Sequence, residues 1–149
     1  MGSSQYYLKC YTKIFRKEIN MFSINNDKSI HLTRGDIAII EIGASKSETE
    51  DYTFKKGDII RIRVFEKNHH ENVVIQKDVT VESETTSVDI SLCKEDTKIG
   101  ELINKPKDYW YEVELNPDTS PQTIIGYDAD GPKLFRLYPE GDDIDDNSV

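Results

Sequence analysis

The sequence predicts an all-β protein, an antiparallel immunoglobulin-like β-sandwich of seven to eight strands. Short segments rich in β-branched residues recur between turn residues at the spacing of roughly eight to twelve positions that is typical of sandwiches. Several segments alternate apolar and polar side chains, which is the period of a strand with one buried face. Alternating helices and strands, which would build a parallel sheet, do not occur in the pattern.

The first 22 residues are predicted to be a separate element, either a basic amphipathic helix or an extended arm. Residues 1–20 carry four cations and one anion, a net charge of +3. The whole chain has a net charge of −9, so the remaining residues carry −12. A membrane-surface helix is disfavoured, and a natural start at Met21 stays open. The apolar side chains predicted to contact the domain or a neighbouring subunit are Tyr7, Tyr11, Phe15 and Ile19.

The predicted β domain comprises residues 23–141, and two of its early strands share one sequence frame. "LTRGDIAIIEIGA" contains Arg34-Gly35-Asp36, the tripeptide that many adhesion receptors bind, while "FKKGDIIRIRVFE" repeats the Gly-Asp followed by an apolar run. A receptor motif has no reason to recur in altered form, whereas a turn that leads into a strand does. We therefore interpret Gly35, Asp36, Gly57 and Asp58 as structural turn residues.

The later strands are predicted from alternation and turn chemistry. In "DIIRIRVFE" the residues Ile60, Ile62 and Val64 share the buried face, opposite the arginines. "SVDISL" follows the same pattern, and one short helical turn is expected before Pro106. "QTIIGY" and "KLFRLY" are predicted to form a hairpin around the turn residues Asp130-Gly131. Residues 142–149 are predicted to be an acidic, disordered tail.

Three neighbouring aromatic residues lie in "DYWYEVELN". Alternation places Tyr109 and Tyr111 toward the core and Trp110 on the opposite face. An exposed Trp is a contact anchor for a protein or a glycan, because large aromatic rings dominate interface energetics. Trp110 is therefore a predicted interface residue, and its burial inside a sandwich is the competing interpretation.

The sequence offers no pattern typical of a catalytic, metal or cofactor site. The adjacent pair His69-His70 would point in opposite directions on a strand, and "DADG" lacks the later ligands of a calcium loop. Neither cysteine, Cys10 or Cys93, has a histidine near it in sequence, and both are expected to be reduced thiols. The acidic body disfavours nucleic acid. We expect no enzyme activity, no metal and no cofactor.

Four stretches together resemble small tail and baseplate proteins of tailed phages and prophages of Gram-positive bacteria. They are "KSIHLTRGDIAIIEI", "FKKGDIIRIRVFEK", "DYWYEVELN" and "PQTIIGYDADGPKLFRLYPEG". More loosely, they are similar to the N-terminal β-sandwich domain of baseplate upper proteins, which opens with a similar "RGD" before an apolar strand. The resemblance covers roughly Ser29 to Gly141 and excludes the basic N-terminal segment.

The resemblance implies a non-enzymatic structural subunit, made in the bacterial cytoplasm, that docks into a virion tail or a phage-tail-like particle. Its partners would be other tail or baseplate proteins, and self-association is left open. Because the sequence ends after the predicted sandwich without an extended trimeric stalk, an adaptor or accessory role is favoured. The alternatives are a carbohydrate-binding module that uses Trp110 or Tyr127 as a stacking platform, and a small hydrolase.

Overall fold

The computed structural model describes residues 7–12, 23–24, 28–45, 50–99 and 103–141, and these are mainly β. The predicted contacts Phe15 and Ile19 and the acidic tail lie outside the described residues. The strands are β1 (Tyr7–Thr12), β2 (Ser23–Ile24), β3 (Ile30–Thr33), β4 (Ala38–Ser45), β5 (Ile59–Glu66), β6 (His69–Thr80), β7 (Ser87–Leu92), β8 (Lys107–Leu115), β9 (Gln122–Ile125) and β10 (Lys133–Tyr138). One short helix, α1 (Lys94–Thr97), lies where the sequence predicts a helical turn.

The strands form two sheets. The smaller sheet has the order β1-β4-β7, and the larger has the order β2-β3-β10-β8-β5-β6, with β9 paired to β8. The segment predicted as a helix or arm contributes the extended strand β1, which pairs with β4 along six residues. No helix in the described part of the chain is long and apolar enough to cross a bilayer.

Two predictions about strand pairing are wrong. The sheet is not purely antiparallel, because β3 and β10 run parallel, with Ile30 opposite Phe135. The predicted hairpin of the last two strands does not form: β9 and β10 both pair with β8, on the edge that β5 leaves free. The turn at Asp130-Gly131 exists, but it lies between β9 and β10, which pair one after the other with the same edge of β8. Turn residues specify a local reversal and favour a hairpin, but here β8 pairs with both segments and takes the place of the hairpin partner.

The predicted inward faces are confirmed. Ile60, Ile62 and Val64 are fully buried, and so is the inward face of β8, which starts with Tyr109 and Tyr111. One hydrophobic cluster contains residues of both sheets, including Ile40 and Ile90 from the smaller sheet. The two sheets therefore share a core. The sequence predicts that Arg61 is exposed to solvent, but it is only 9% exposed, because Asp78 and Asp118 cover it.

Arg34 of the adhesion-like tripeptide is part of the folded interior. It is 4% exposed, its Nε donates to the carbonyl oxygen of Ile99 at 3.1 Å, and its Nη1 lies 3.7 Å from Glu140 Oε1. A receptor that recognises the tripeptide would need this guanidinium on the surface. The buried position therefore favours the structural interpretation of the motif.

The Gly-Asp turns adopt the backbone geometry that glycine permits. Gly35 and Gly57 have φ angles of +87° and +96°, and Gly131 of the Asp-Gly turn has a φ angle of +95°. Asp58 then fixes the second turn: its Oδ2 accepts from the backbone N–H of Lys55 at 2.8 Å. The repeated sequence frame thus encodes a left-handed glycine at both turns, and at the second turn the carboxylate also bonds the local backbone.

We expect Gly57→Ala to lower the free energy of unfolding by about 1 kcal/mol, because an L-residue is strained at this positive φ. A Cβ at Gly57 would meet no atom within 4 Å, so the loss would come from the backbone alone. Gly141→Ala is the matched control, since its Cβ is equally unobstructed and its φ is not in the left-handed region. Urea unfolding measures both variants. An equal change in the two would contradict the assignment of strain to Gly57.

Candidate ligand-binding groove

The outward face of β8 is the floor of a groove. Trp110 and Glu112 alternate with the buried residues Tyr109 and Tyr111, so they project on the opposite side of the sheet. Trp110 is half-buried there, as the sequence predicts for its direction. On both sides of this strand the regular pairing of the sheet is interrupted, and each interruption brings a side chain over the floor.

The first interruption is a bulge in β6. Glu66 pairs with His69 and Phe65 pairs with Val73, so residues 70–72 have no opposing residue on β5. Bulges bend a strand and re-aim its side chains. Here the ring of His70 packs edge-on against Phe65, with centroids 4.7 Å apart. Its Nε2 lies 3.1 Å and 3.2 Å from the two carboxylate oxygens of Glu112.

The second interruption is the loop of residues 126–132 between β9 and β10. Its base is fixed by Lys133, whose Nζ donates to Asp128 Oδ1 at 2.7 Å and to the carbonyl oxygen of Gly131 at 3.0 Å. Lys133 is only 5% exposed. Its ammonium group, together with the backbone N–H of Asp130, holds the pKa of Asp128 below its usual range. The loop presents Tyr127, whose side chain is 77% exposed.

The groove between these two features has a volume of about 290 Å³. It combines aromatic surface from Trp110 and Tyr127 with polar atoms of His70 and Glu112. The structure thus brings together the two aromatic residues that the sequence proposes as stacking platforms. The complete lining is Phe65, Asn68, His69, His70, Trp110, Tyr111, Glu112, Tyr127, Pro132 and Lys133.

The charges in the groove compensate one another. Glu112 faces His70 and also lies 3.7 Å from Arg63 Nη1. Lys133 is matched by Asp128 at 2.7 Å. The groove therefore offers hydrogen-bonding atoms without a strong excess of either charge. Ligand sites commonly pair apolar and aromatic walls with a few polar groups in this manner.

The other predicted contact residues lie elsewhere. The backbones of Tyr7 and Tyr11 belong to β1 in the smaller sheet, whereas Trp110 belongs to the larger sheet. His69 lines the groove beside His70, and its Nδ1 lies 3.4 Å from Glu71 Oε2. Among the residues that the structure describes, no three His, Cys, Asp or Glu side chains form a group suited to a metal ion. Cys93 is an exposed free thiol.

Sequence reasoning missed the contributions of His70, Glu112 and Lys133 to the groove. The polar stretch "KNHHEN" predicts a hairpin loop, and nothing in it indicates that three residues would bulge over the neighbouring strands. Glu112 is one of 28 acidic residues, and its position between two buried aromatic residues shows only that it faces outward. The weak signal was the pair of aromatic residues, Trp110 and Tyr127, that alternation and turn chemistry place outside the core.

Comparison with protein-family models finds no matching family, and comparison with curated proteins finds no relative. Among solved structures, β-glucosidase from Listeria innocua is matched in two crystal structures. The complex of a mutant with laminaribiose has a TM-score of 0.36 at 12% identity over 93% of this chain. The complex with isofagomine has a TM-score of 0.34 at 11% identity over 91% of this chain. The chain spans 16% of the length of either enzyme, and these TM-scores are too low to assign a fold or an activity.

Proposed function

We propose that the chain is a non-enzymatic structural protein of a phage or prophage tail, as a baseplate or adaptor component that acts through protein–protein docking. The resemblance carried by residues 29–141 supports this role. The proposal includes an immunoglobulin-like arrangement of the two sheets, which the shared core cluster supports. It also includes localisation in the virion tail or a phage-tail-like particle, with other tail proteins, or further copies of this chain, as partners.

The observation that carries the docking proposal is the outer edge of β6, which pairs with no other strand of the described residues. This strand is 12 residues long and ends the order of the larger sheet. Near its C-terminal end, α1 approaches it, with Lys77 Nζ 3.0 Å from Asp96 Oδ2. Residues 69–73 are exposed along the other end, and Val73 is one of the large apolar side chains on the surface. Exposed strand edges accept a strand from a partner.

Charge distribution supports the same role. The N-terminal 20 residues carry +3 and the remainder −12, so neighbouring copies or subunits can be oriented by attraction between the two regions. Such complementarity contributes more to specificity and to the rate of encounter than to affinity. Because Val73 is exposed on the β6 edge, the partner there is expected to be a protein strand with apolar side chains, supplied by another component of the particle.

Purified tail particles from the strain that carries the gene provide the direct test. If the proposal is correct, mass spectrometry finds the chain in the same density-gradient fractions as the tail proteins. Recovery of the chain solely among unassembled proteins would contradict the proposal, because a structural subunit sediments with its particle.

Val73→Lys is expected to reduce incorporation into these particles at least tenfold. A charge on an edge strand opposes the pairing of a further strand, while the 40% exposure of Val73 leaves the core intact. Val73→Thr is the matched control, because it keeps the branched shape and the strand propensity, and it should assemble within about threefold of the natural chain. Normal assembly of Val73→Lys would exclude this edge as the docking surface.

A further inference from the structure

We propose that the groove over β8 binds a neutral sugar ring of a glycan, with Trp110 and Tyr127 contacting its apolar face and His70 and Glu112 its hydroxyl groups. This inference concerns the groove and does not depend on docking at the edge, although His69 and His70, at the exposed end of β6, line the groove. The groove lies between the bulge of β6 and the loop of residues 126–132, whereas the proposed docking residue Val73 does not line it.

The aromatic residues indicate the first part of the ligand. A sugar ring has patches of C–H groups that pack against the flat face of an aromatic side chain, while its hydroxyl groups remain available at the ring edge. Tyr127 is 77% exposed, although its loop is fixed at the base by the buried Lys133. Because the loop is anchored, its backbone needs little further ordering when the ring binds a ligand, and the remaining entropic cost is that of the Tyr127 side chain. Trp110 supplies a second aromatic surface on the floor.

The polar groups indicate the second part. The two carboxylate oxygens of Glu112 lie within 3.2 Å of His70 Nε2, which leaves further lone pairs as acceptors for hydroxyl donors. Asn68, also in the lining, carries an amide that both donates and accepts. Planar groups with adjacent donors and acceptors suit the neighbouring hydroxyl groups of a sugar. An apolar ligand would desolvate the remaining lone pairs of Glu112 and the amide of Asn68 without replacing their hydrogen bonds to water, which is unfavourable.

Charge and size exclude the main competitors. A cationic ligand would need the charge of Glu112, which Arg63 at 3.7 Å already offsets, and His70 Nε2 lies 3.1 Å from the same carboxylate. An anionic ligand would need Lys133, whose charge is matched by Asp128 at 2.7 Å. The volume of about 290 Å³ is at the low end of ligand pockets, which run from roughly 300 to 1,000 Å³. The site therefore fits one neutral ring better than a charged or an extended ligand.

Intrinsic fluorescence tests the proposal directly, because Trp110 is the single tryptophan of the sequence and lies in the groove. The full chain is titrated with the methyl glycosides of glucose, galactose, mannose and N-acetylglucosamine. Choline chloride and sodium glucuronate serve as cationic and anionic probes at matched ionic strength. We expect a saturable change with at least one neutral glycoside. Saturation by choline or glucuronate alone, or no saturable change with any probe, would overturn the proposal.

Substitutions of Tyr127 separate stacking from general effects. Tyr127→Ala should weaken binding of the active glycoside at least tenfold, whereas Tyr127→Phe, which keeps the ring, should stay within about threefold. Ile37→Ala is the matched control, since Ile37 is also an exposed large apolar residue, at 55%, but does not line the groove. Thermal melts establish that each variant is folded. Equal binding by Tyr127→Ala and Ile37→Ala would contradict the assigned site.

Discussion

Asp58→Asn is expected to lower the free energy of unfolding by about 2 kcal/mol at pH 7, whereas Asp36→Asn should change it by less than about 0.5 kcal/mol. The carboxylate of Asp58 accepts from the backbone N–H of Lys55 at 2.8 Å, from Tyr52 Oη at 3.0 Å and from Asn116 Nδ2 at 3.1 Å. An amide at position 58 keeps one acceptor oxygen and turns an NH₂ group toward these donors. Bonds to a charged acceptor are the stronger ones, so their loss dominates.

The two aspartates differ in pKa although they occupy equivalent places in their turns. Burial by itself would raise the pKa of Asp58, but the hydrogen bonds from Lys55, Asn116 and Tyr52 outweigh it and hold the pKa below the ordinary 3.8. Burial raises the pKa of Asp36, and the nearby carboxylate of Glu140 raises it further. Asp36→Asn thus removes a charge that the folded protein disfavours, which offsets any loss at that turn.

The pH dependence of the free energy of unfolding follows from the directions of these two pKa shifts. Because the folded pKa of Asp58 is depressed, its stabilisation is present above 3.8 and is lost as the pH falls through the folded value. Urea unfolding at pH 7 and near pH 3 should therefore show the deficit of Asp58→Asn shrinking at the lower pH. Asp36→Asn should instead gain relative to the natural chain as the pH rises, because the raised pKa of Asp36 makes its ionisation unfavourable to folding. Equal losses at both positions would contradict this account.

The repeated Gly-Asp frame shows what the sequence can predict at a turn. It predicts a left-handed glycine, and Gly35 and Gly57 both have positive φ. It cannot predict the opposite environments of the two aspartates, because those depend on distant residues: Asn116 reaches Asp58, and Glu140 approaches Asp36. Backbone requirements are local and appear in the sequence, whereas the polarity of a side chain's surroundings depends on the folded topology.

Strand pairing likewise has a part that the sequence predicts and a part that it does not. Alternation predicts which side chains of β8 face the core, since adjacent residues on a strand project to opposite faces. Pairing partners are set by the whole arrangement of strands, so the parallel contact of β3 with β10 was not predictable from either segment. The candidate groove depends on two pairing irregularities, the bulge at residues 70–72 and the loop of residues 126–132. The sequence could therefore predict the aromatic residues of the groove, but it could not predict the contact of His70 with Glu112.

Arg61→Met is expected to lower the free energy of unfolding by about 2 kcal/mol at pH 7, through the loss of a nearly buried ion cluster. The guanidinium donates twice to Asp78, at 2.8 and 2.9 Å, and twice to Asp118, at 3.2 and 3.1 Å. Methionine covers the same apolar surface but leaves the two carboxylates facing each other. The Asp78 and Asp118 side chains are 39% and 66% exposed, so solvent screens part of their repulsion and the loss stays below that of a fully buried pair.

Arg63→Met is the matched control for Arg61→Met. Arg63 is on the same face of β5, but its ion pairs to Glu112 and Glu114 are long, at 3.7 and 3.8 Å. We expect a smaller change, below about 1 kcal/mol, because these half-buried ion pairs are too long for hydrogen bonds. The hydrogen bonds from Arg61 hold the pKa of Asp78 below 3.8, so the stabilisation is present above that pH and is lost as the pH falls through the folded value. Urea unfolding at pH 7 and pH 3 measures both variants. A deficit of Arg61→Met that is as large at pH 3 as at pH 7, or an equal deficit in Arg63→Met, would show that lost packing rather than the ion cluster sets the stability of this face.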